Sequence, residues 1–191
     1  MPRNKILRLN LNRNKAVQAV DYIARKWPRV TQYYVCKILY FADKEHCLDW
    51  GRTITGDRYV AMDHGPVPSR VYDMLKPGSG EEDELLDMIN ERLRFVAEGN
   101  KTHVISKEIG DFDALSQSDC EALDSAVNFC RPLGFGALRD ISHKERAWAA
   151  AARDELRSNP PMDLADWFEA KDRELGAAEL TDNAKHGVWS S

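Results

Sequence analysis

A chain of 191 residues, 43% of them hydrophobic, is long enough to bury a core of its own, which excludes a small scaffold that depends on disulfides or metals. No apolar run approaches the about 20 residues that a membrane-spanning helix needs, so we expect no membrane association. The formal net charge is −4.

The charge is distributed unevenly. Residues 1–30 hold eight Lys or Arg against one Asp, a net +7, so the overall −4 leaves −11 on the rest. Such a segment binds nucleic acid or an acidic protein, or is simply a solvated basic helix and terminus. The solvated segment is the simpler interpretation, and nucleic acid is not the expected partner.

Four cysteines, Cys36, Cys47, Cys120 and Cys130, lie singly within apolar segments, and no CxxC pair is present. Metal sites and disulfide frameworks use paired or regularly spaced cysteines. The pattern therefore favours buried thiols in a reducing compartment, and we expect a cytoplasmic protein.

The N-terminal region begins with basic residues that lack a clear period, where residues 6–11 are a candidate edge strand. From Asn14, apolar residues recur at helical spacing as far as Trp27. Pro28 closes this first amphipathic helix, because a residue before proline avoids the helical conformation.

Residues 31–51 predict the central helix of the fold. Thr31 is expected at its N-cap and Gly51 just beyond its C-terminal end. Its apolar stripe is wide, which is typical of a helix covered on more than one side. One face is formed by Val35, Ile38, Leu39, Ala42 and His46.

A short extended segment at residues 57–62 and a corner at residues 64–68 follow the central helix. Pro66 and Pro68 fix φ and lack amide hydrogens, and Gly65 relaxes the steric limits beside them. A short helix starts at Pro68 and stops at the Pro-Gly pair of residues 77–78.

Acidic residues open the next helix, at residues 81–89. Gly99 and Asn100 then suit the tight turn of a β-hairpin between residues 93–96 and 103–105. A lone hairpin is marginally stable, so residues 59–62 are a candidate third strand.

The C-terminal part alternates helices with breakers. Ser116 or Ser118 is placed to cap a helix, and residues 142–145 form a capping-box pattern before an alanine-rich helix. A further helix starts at Met162 and fades near Gly176. The helical segments contain residues 123–130, 137–141, 146–152 and 162–168.

Together these elements predict an α+β fold that is predominantly α-helical, with a central buried helix, surrounding helices and a small antiparallel β-sheet. We expect one globular domain over residues 1–176, with residues 31–76 at its centre. Residues 177–191 are a polar tail, either flexible or docked through its terminal tryptophan.

His46 and His64 are the candidate metal ligands, but no HExxH or paired-cysteine pattern accompanies them, so we expect no metal. A Cys–His nucleophile pair would require thiols of the buried helix, where thiols are inert. Gly134, Phe135 and Gly136 follow a helix rather than a strand, so they do not indicate a nucleotide site. We expect no catalytic residues, no cofactor and no enzyme activity; a hydrolase or metalloenzyme around the two histidines is the alternative.

The corner is the predicted partner-binding surface, because loops fixed on a rigid scaffold are good recognition elements. A corner that only packs against the central helix is the alternative. Exposed tyrosines are frequent interface anchors, which adds aromatic residues to the set. The predicted contact residues are Asp63, His64, Pro66, Pro68, Arg70, Tyr72 and Tyr40.

Four segments in the order found here give the chain a family resemblance. Residues 37–42 (KILYFA) lie in the helix, Gly51 ends it, and residues 56–62 (GDRYVAM) lead to residues 64–72 (HGPVPSRVY). The chain resembles the Panacea domain, the SocA-like antitoxin domain of bacterial and phage genomes, over residues 36–75. A weaker echo covers residues 142–148.

This resemblance implies a mostly helical domain with a small sheet. It also implies an antitoxin that binds and neutralises a cognate protein toxin, encoded by an adjacent gene. A proteolytic adaptor that delivers its partner to a protease, and a phage accessory protein that binds a host protein, are alternatives of the same kind. A nucleic-acid-binding regulator that acts through the basic N-terminal segment is a different class, and self-association stays open.

Overall fold

The computed structural model describes residues 9–76, 84–154 and 156–186, with the backbone alone for residues 84–86 and 186. Helices dominate these residues and two antiparallel sheets complete them, which confirms the predicted helix-dominated α+β class. The helices are α1 (Arg13–Lys26), α2 (Gln32–Trp50), α3 (Ser69–Met74), α4 (Glu84–Arg92), α5 (Gln117–Cys130), α6 (Phe135–His143), α7 (Arg146–Ala151) and α8 (Arg173–His186), with a 3-10 turn at Leu164–Trp167. The strands are β1 (Val30–Thr31), β2 (Tyr59–Met62), β3 (Gly65–Pro68), β4 (Leu93–Glu98) and β5 (Lys101–Ser106).

Helix α2 is the centre of the fold because it is buried on two sides. Val35, Ile38 and Leu39 belong to a large hydrophobic cluster shared with α1 and α5. Tyr40 and Cys47 belong to a second cluster, shared with the 3-10 turn and α8. Both flanks of the predicted wide stripe are therefore covered.

The predicted ends of α2 are confirmed in position. Thr31 is the N-cap residue, although its side chain makes no capping hydrogen bond. Gly51 follows the last turn with φ 65°, a left-handed conformation that costs a glycine little.

The corner is a β-hairpin, which the sequence pattern did not predict. Strand β2 pairs with β3, with Ala61 opposite Pro66 and Tyr59 opposite Pro68. The two prolines are two residues apart, so their backbone nitrogens lie on the same side of β3, the side that faces away from β2. The lack of an N–H at these positions therefore removes no hydrogen bond from the ladder. The Pro66 carbonyl consequently also points away from the ladder.

The assignment of residues 59–62 to the sheet of the second hairpin is wrong. That sheet has the order β1-β5-β4, and β1 supplies its third strand through the pairing of Val30 with Val104. Strands β4 and β5 form the predicted hairpin, with Gly99 at φ 59° in its turn.

A buried carboxylate ties the segment after α2 to the helix. The Asp43 side chain accepts hydrogen bonds from the amides of Ile54 (2.7 Å) and Thr55 (3.1 Å). It also accepts from the hydroxyls of Thr55 (2.7 Å) and Tyr59 (2.8 Å). Burial raises the pKa of Asp43, and these donors partly offset that rise.

Asp57 performs the corresponding task for α3. Its carboxylate is buried and accepts from the amides of Arg70 (3.2 Å) and Val71 (2.9 Å) in the first turn of that helix. These are amides that a helix cannot pair internally. Burial raises the pKa of Asp57 to about 6.

Two C-terminal predictions need correction. Ser142 lies inside α6 and donates to the Arg139 carbonyl oxygen (2.8 Å), so it does not cap α7, whose N-cap residue is Glu145. Residues 162–168 contain a 3-10 turn rather than an α-helix. Of the two predicted caps for α5, Ser116 and Ser118, the structure has Ser116, which forms a capping box with Asp119.

Helix α8 continues beyond Gly176. Leu180 is buried in the second cluster, and the Asn183 side-chain amide donates to the Gly51 carbonyl oxygen at 2.9 Å. Residues 187–191, which include the terminal tryptophan, lie outside the described residues, as do residues 77–78. Of the candidate edge strand, residues 9–11 are not in a strand and residues 6–8 are not described.

Several cations of the basic N-terminal segment are bound within the fold. Lys15 pairs with Asp119, Arg25 with Asp21 and Lys26 with Asp124. Arg29 pairs with Glu98. These four positive charges of residues 1–30 are therefore balanced by nearby carboxylates, which weakens the case for a nucleic-acid surface on α1.

Asp43→Ala is expected to lower the free energy of unfolding by about 3 kcal/mol or more, because it leaves four buried donors without an acceptor. Urea denaturation followed by circular dichroism measures the change. Asp49→Ala, at an exposed position of the same helix, is the matched control and is expected to change stability by less than about 0.5 kcal/mol. Equal effects of the two substitutions would show that the Asp43 contacts do not stabilise the fold.

Candidate functional site

A groove of about 720 Å³ opens beside the N-terminal end of α2, and we call it the α2 groove. Its walls come from α2, the β2–β3 turn, α3, the tip of the β4–β5 hairpin and the start of α6. The lining residues are Thr31, Gln32, Tyr33, Tyr34, Cys36, Lys37, Met62, Asp63, His64, Val67, Tyr72, Asn100, Lys101, Thr102, Phe135 and Asn159.

Three of the predicted contact residues line this groove. Asp63 and His64 are exposed in the β2–β3 turn, and Tyr72 is half-buried in α3. Arg70 is half-buried and lies outside the lining, with its amide bonded to Asp57. The turn of the corner therefore faces a concave surface.

Pro66, Pro68 and Tyr40 are buried, so the expectation that they form an exposed contact surface needs correction. The prolines face inward because β3 packs on α2. The Tyr40 ring lies 5.8 Å from the Trp167 ring, and its hydroxyl accepts from the Trp167 indole (3.2 Å) and donates to Glu145 (3.1 Å). None of the three residues lines the groove.

Aromatic rings form one wall of the groove. The Tyr33 and Phe135 rings lie 4.6 Å apart, and the His64 ring meets Phe135 edge-on at 5.2 Å. The Tyr34 hydroxyl donates to the Leu133 carbonyl oxygen at 2.7 Å, which fixes the segment before α6. Phe135 remains 44% exposed, so this wall offers an apolar face to a ligand.

Lys37 forms the floor of the groove. Its side chain is 1% exposed. Its ammonium donates to the Pro66 carbonyl oxygen, which points away from the β2–β3 ladder, at 2.8 Å. The ammonium also lies 5.2 Å from the centroid of the Tyr33 ring. Burial lowers the pKa of Lys37 from its ordinary value of 10.5 to about 7.

The backbone at Gly65 passes directly over Lys37. Its φ is +102°, and a Cβ at this position would lie 2.7 Å from the Lys37 Nζ and 2.3 Å from the Ser142 hydroxyl. Only a glycine fits so close to both groups in this backbone conformation. The glycine of the predicted corner is thus needed for close approach as well as for turning.

Neither Lys37 nor Phe135 was predicted as a site residue. Lys37 falls on a second helical stripe with Tyr33, Tyr40 and Cys47, and a lysine among buried positions was the available sequence signal. Phe135 had no such signal, because its place beside Tyr33 depends on how α6 folds back onto α2.

His46, a candidate metal ligand, is fully buried at a structural position. Its ring nitrogens lie 2.9 Å from the Arg52 carbonyl oxygen and 3.1 Å from the Ser118 hydroxyl, and burial lowers its pKa. His64 instead lies in the groove wall. Within the described ranges, no group of three or more His, Cys, Asp or Glu is arranged to hold a metal ion.

All four cysteines are free thiols, and Cys36, Cys47 and Cys130 are buried. Burial raises the pKa of each of these three to about 12, so they are protonated at neutral pH. This confirms the prediction of buried single thiols at these three positions.

The α2 groove thus combines aromatic walls with a lysine floor on a helical scaffold, features common in ligand-binding sites. None of the helices described combines the length and apolar character that a bilayer span requires. Residues 35–149 match the model of the antitoxin SocA-like family, Panacea domain, and the chain belongs to this family. The match extends well beyond residues 36–75 and covers most of the groove. Comparisons with curated proteins and with solved structures gave no match.

Lys37→Met should change how stability depends on pH. The folded state of the natural protein holds a neutral Lys37 above about pH 7, while the unfolded chain keeps it charged to higher pH. The unfolded state then binds more protons, so the free energy of unfolding rises with pH. Between about pH 7 and about pH 9, we expect the free energy of unfolding of the natural protein to rise by about 2 kcal/mol relative to that of the variant.

Urea denaturation of both proteins across this range measures the difference. Cys36, Cys130, His143 and Tyr33, the ionisable groups that interact with Lys37, are present in both proteins, so the comparison isolates the Lys37 charge. If the free energy of unfolding depends on pH in the same way for both proteins, the charge of Lys37 does not change on folding.

Proposed function

We propose that this protein is an antitoxin that binds a cognate protein toxin by direct contact and neutralises it, with the α2 groove as its contact surface. The observation that carries the proposal is the groove itself, formed largely within the residues that define the family. A role related to toxin–antitoxin systems follows from family membership. Direct contact through the groove is our addition to it.

The groove has the properties of a protein-binding surface. Aromatic residues with one exposed face are frequent hot spots of interfaces, and Phe135 and Tyr72 offer such faces. The groove lies on α2, whose burial on two sides keeps it rigid, so little ordering is required on binding. A rigid concave surface of this kind favours one protruding segment of a partner.

We further propose that the protein acts in the cytoplasm, by binding and without catalysis. Four free thiols, three of them buried, suit a reducing compartment. The partner would be the product of a neighbouring gene, because antitoxins act on toxins made beside them.

Co-expression with the product of the adjacent gene is expected to restore growth, and the two proteins are expected to copurify. Absence of both rescue and complex would overturn the proposal. The half-life of the toxin separates two modes of action: it should be unchanged if contact alone neutralises the toxin. A half-life shortened by co-expression would establish a proteolytic adaptor instead.

Phe135→Ala is expected to weaken the complex by about 2 kcal/mol, roughly 30-fold, because it removes an aromatic anchor from the groove wall. Phe129→Ala is a matched control: both residues are 44% exposed and both pack on aromatic rings, Phe135 on Tyr33 and His64 and Phe129 on Phe41. Calorimetric titration gives the affinities. Equal weakening by the two substitutions would place the contact outside the groove.

A further inference from the structure

Lys37 differs from the other buried lysine of the described residues in its surroundings. Lys15 is buried beside Asp119, with its Nζ 2.5 Å from the carboxylate. Lys37 has the Pro66 carbonyl oxygen and the Tyr33 ring beside it, and no ion pair with any Asp or Glu in the described ranges. An ammonium has three N–H donors, so the Pro66 bond leaves donors for another acceptor.

Burial of this charge has an energetic cost that the fold does not offset. Taking an ion out of water is unfavourable unless a charged partner lies beside it. A methionine of similar length would fill the same space without that cost, because only its end group differs. The lysine does stabilise the fold through its hydrogen bond to the Pro66 carbonyl oxygen, but a neutral acceptor does not balance a buried charge.

The groove provides access to the lysine from outside. Lys37 is one of its lining residues, so the groove reaches the otherwise buried side chain. The volume of about 720 Å³ is within the range of ligand sites. Around this polar floor the walls are largely apolar, with Tyr33, Met62 and Phe135 among them.

The rim adds one cation and one carboxylate. Lys101 of the hairpin tip and Asp63 of the β2–β3 turn line the groove and are both exposed, so Lys37 is the cation of the lining that no carboxylate balances. A floor cation, a rim cation and aromatic walls together complement a carboxylate attached to an apolar neighbour.

We propose that the α2 groove recognises an acidic side chain of the partner protein, an Asp or Glu next to an apolar residue, whose carboxylate pairs with the buried Lys37 ammonium while the apolar residue packs on Tyr33 and Phe135. This inference rests on the proposed function, since it names the chemistry that the toxin presents. In this interpretation the buried cation, which is unfavourable in the free protein, is the group that selects an acidic side chain.

The first test does not require the toxin. N-acetyl-Phe-Asp-amide and its isosteric control N-acetyl-Phe-Asn-amide are titrated into the full-length protein, and backbone amide shifts of α2 and α6 are followed by NMR. The acidic peptide is expected to bind at least tenfold more tightly, and Lys37→Met is expected to abolish that preference. Equal binding of the two peptides, or no binding of either up to about 10 mM, would overturn the inference.

The second test uses the complex. Lys37→Met is expected to weaken toxin binding at least 30-fold while the variant stays folded, with a melting temperature at pH 7 equal to or above that of the natural protein. Lys101→Met, which removes the exposed rim cation, is expected to weaken binding clearly less than Lys37→Met does, and Lys171→Met, an exposed lysine outside the groove, should not change it. Equal losses for Lys37→Met and Lys101→Met would place recognition at the rim and refute the floor site.

Failures of the two proposals are distinguishable. If Phe135→Ala breaks the complex but Lys37→Met leaves its affinity within twofold, the groove binds the toxin without a buried ion pair, and only the carboxylate inference fails. If no complex forms with any neighbouring gene product, the proposed function fails, and a peptide preference lost in Lys37→Met would still support an acid-recognising groove.

Discussion

The fold depends on the way helix α2 binds the chain that follows it. Asp43 collects the amides of Ile54 and Thr55 and the hydroxyl of Tyr59 on one buried carboxylate, so the chain leaving Gly51 must return along the helix. That return sets where β2 begins, and Asp57, a few residues on, sets where α3 begins. The turn between these elements is thereby aimed at the N-terminal half of α2, where the groove lies.

Three polar side chains are buried on α2, and they differ in their hydrogen-bond partners. Asp43 is fully satisfied by local donors, and His46 is held between the Arg52 carbonyl oxygen and Ser118. Lys37 has only a neutral carbonyl acceptor and a ring. The first two residues explain the architecture, and the third lies in the α2 groove, whose walls come from segments that are far apart in the sequence.

The sequence predicted those parts of the fold that local chemistry determines. Periodicity and end signals located α1 and α2, Ser116 located the start of α5, and the Gly99 turn located the β4–β5 hairpin. The β2–β3 hairpin was missed because Pro66 and Pro68 indicate a broken strand. In the observed register the prolines remove no ladder hydrogen bond, and a local sequence pattern does not show that register.

The same limit applies to the site. The β2–β3 turn was predicted as a recognition element because of its unusual composition, and Asp63 and His64 do line the groove. Tyr40 was wrongly expected at the surface, since its covering residues, around Trp167, lie more than 100 positions away in the chain. Helix α8 extends past the predicted end because two distant contacts, of Leu180 and Asn183, hold a polar segment that lacks a strong apolar stripe.

The walls of the groove are far apart in the sequence, and this separation has a consequence for timing during synthesis. Lys37 leaves the ribosome early, but the wall that contains Phe135 is made about 100 residues later, a delay of about 5 to 20 s at ordinary elongation rates. Until then the floor lysine lacks its aromatic wall and no complete groove exists. The groove is therefore complete only after α6 has been made and has folded back onto α2.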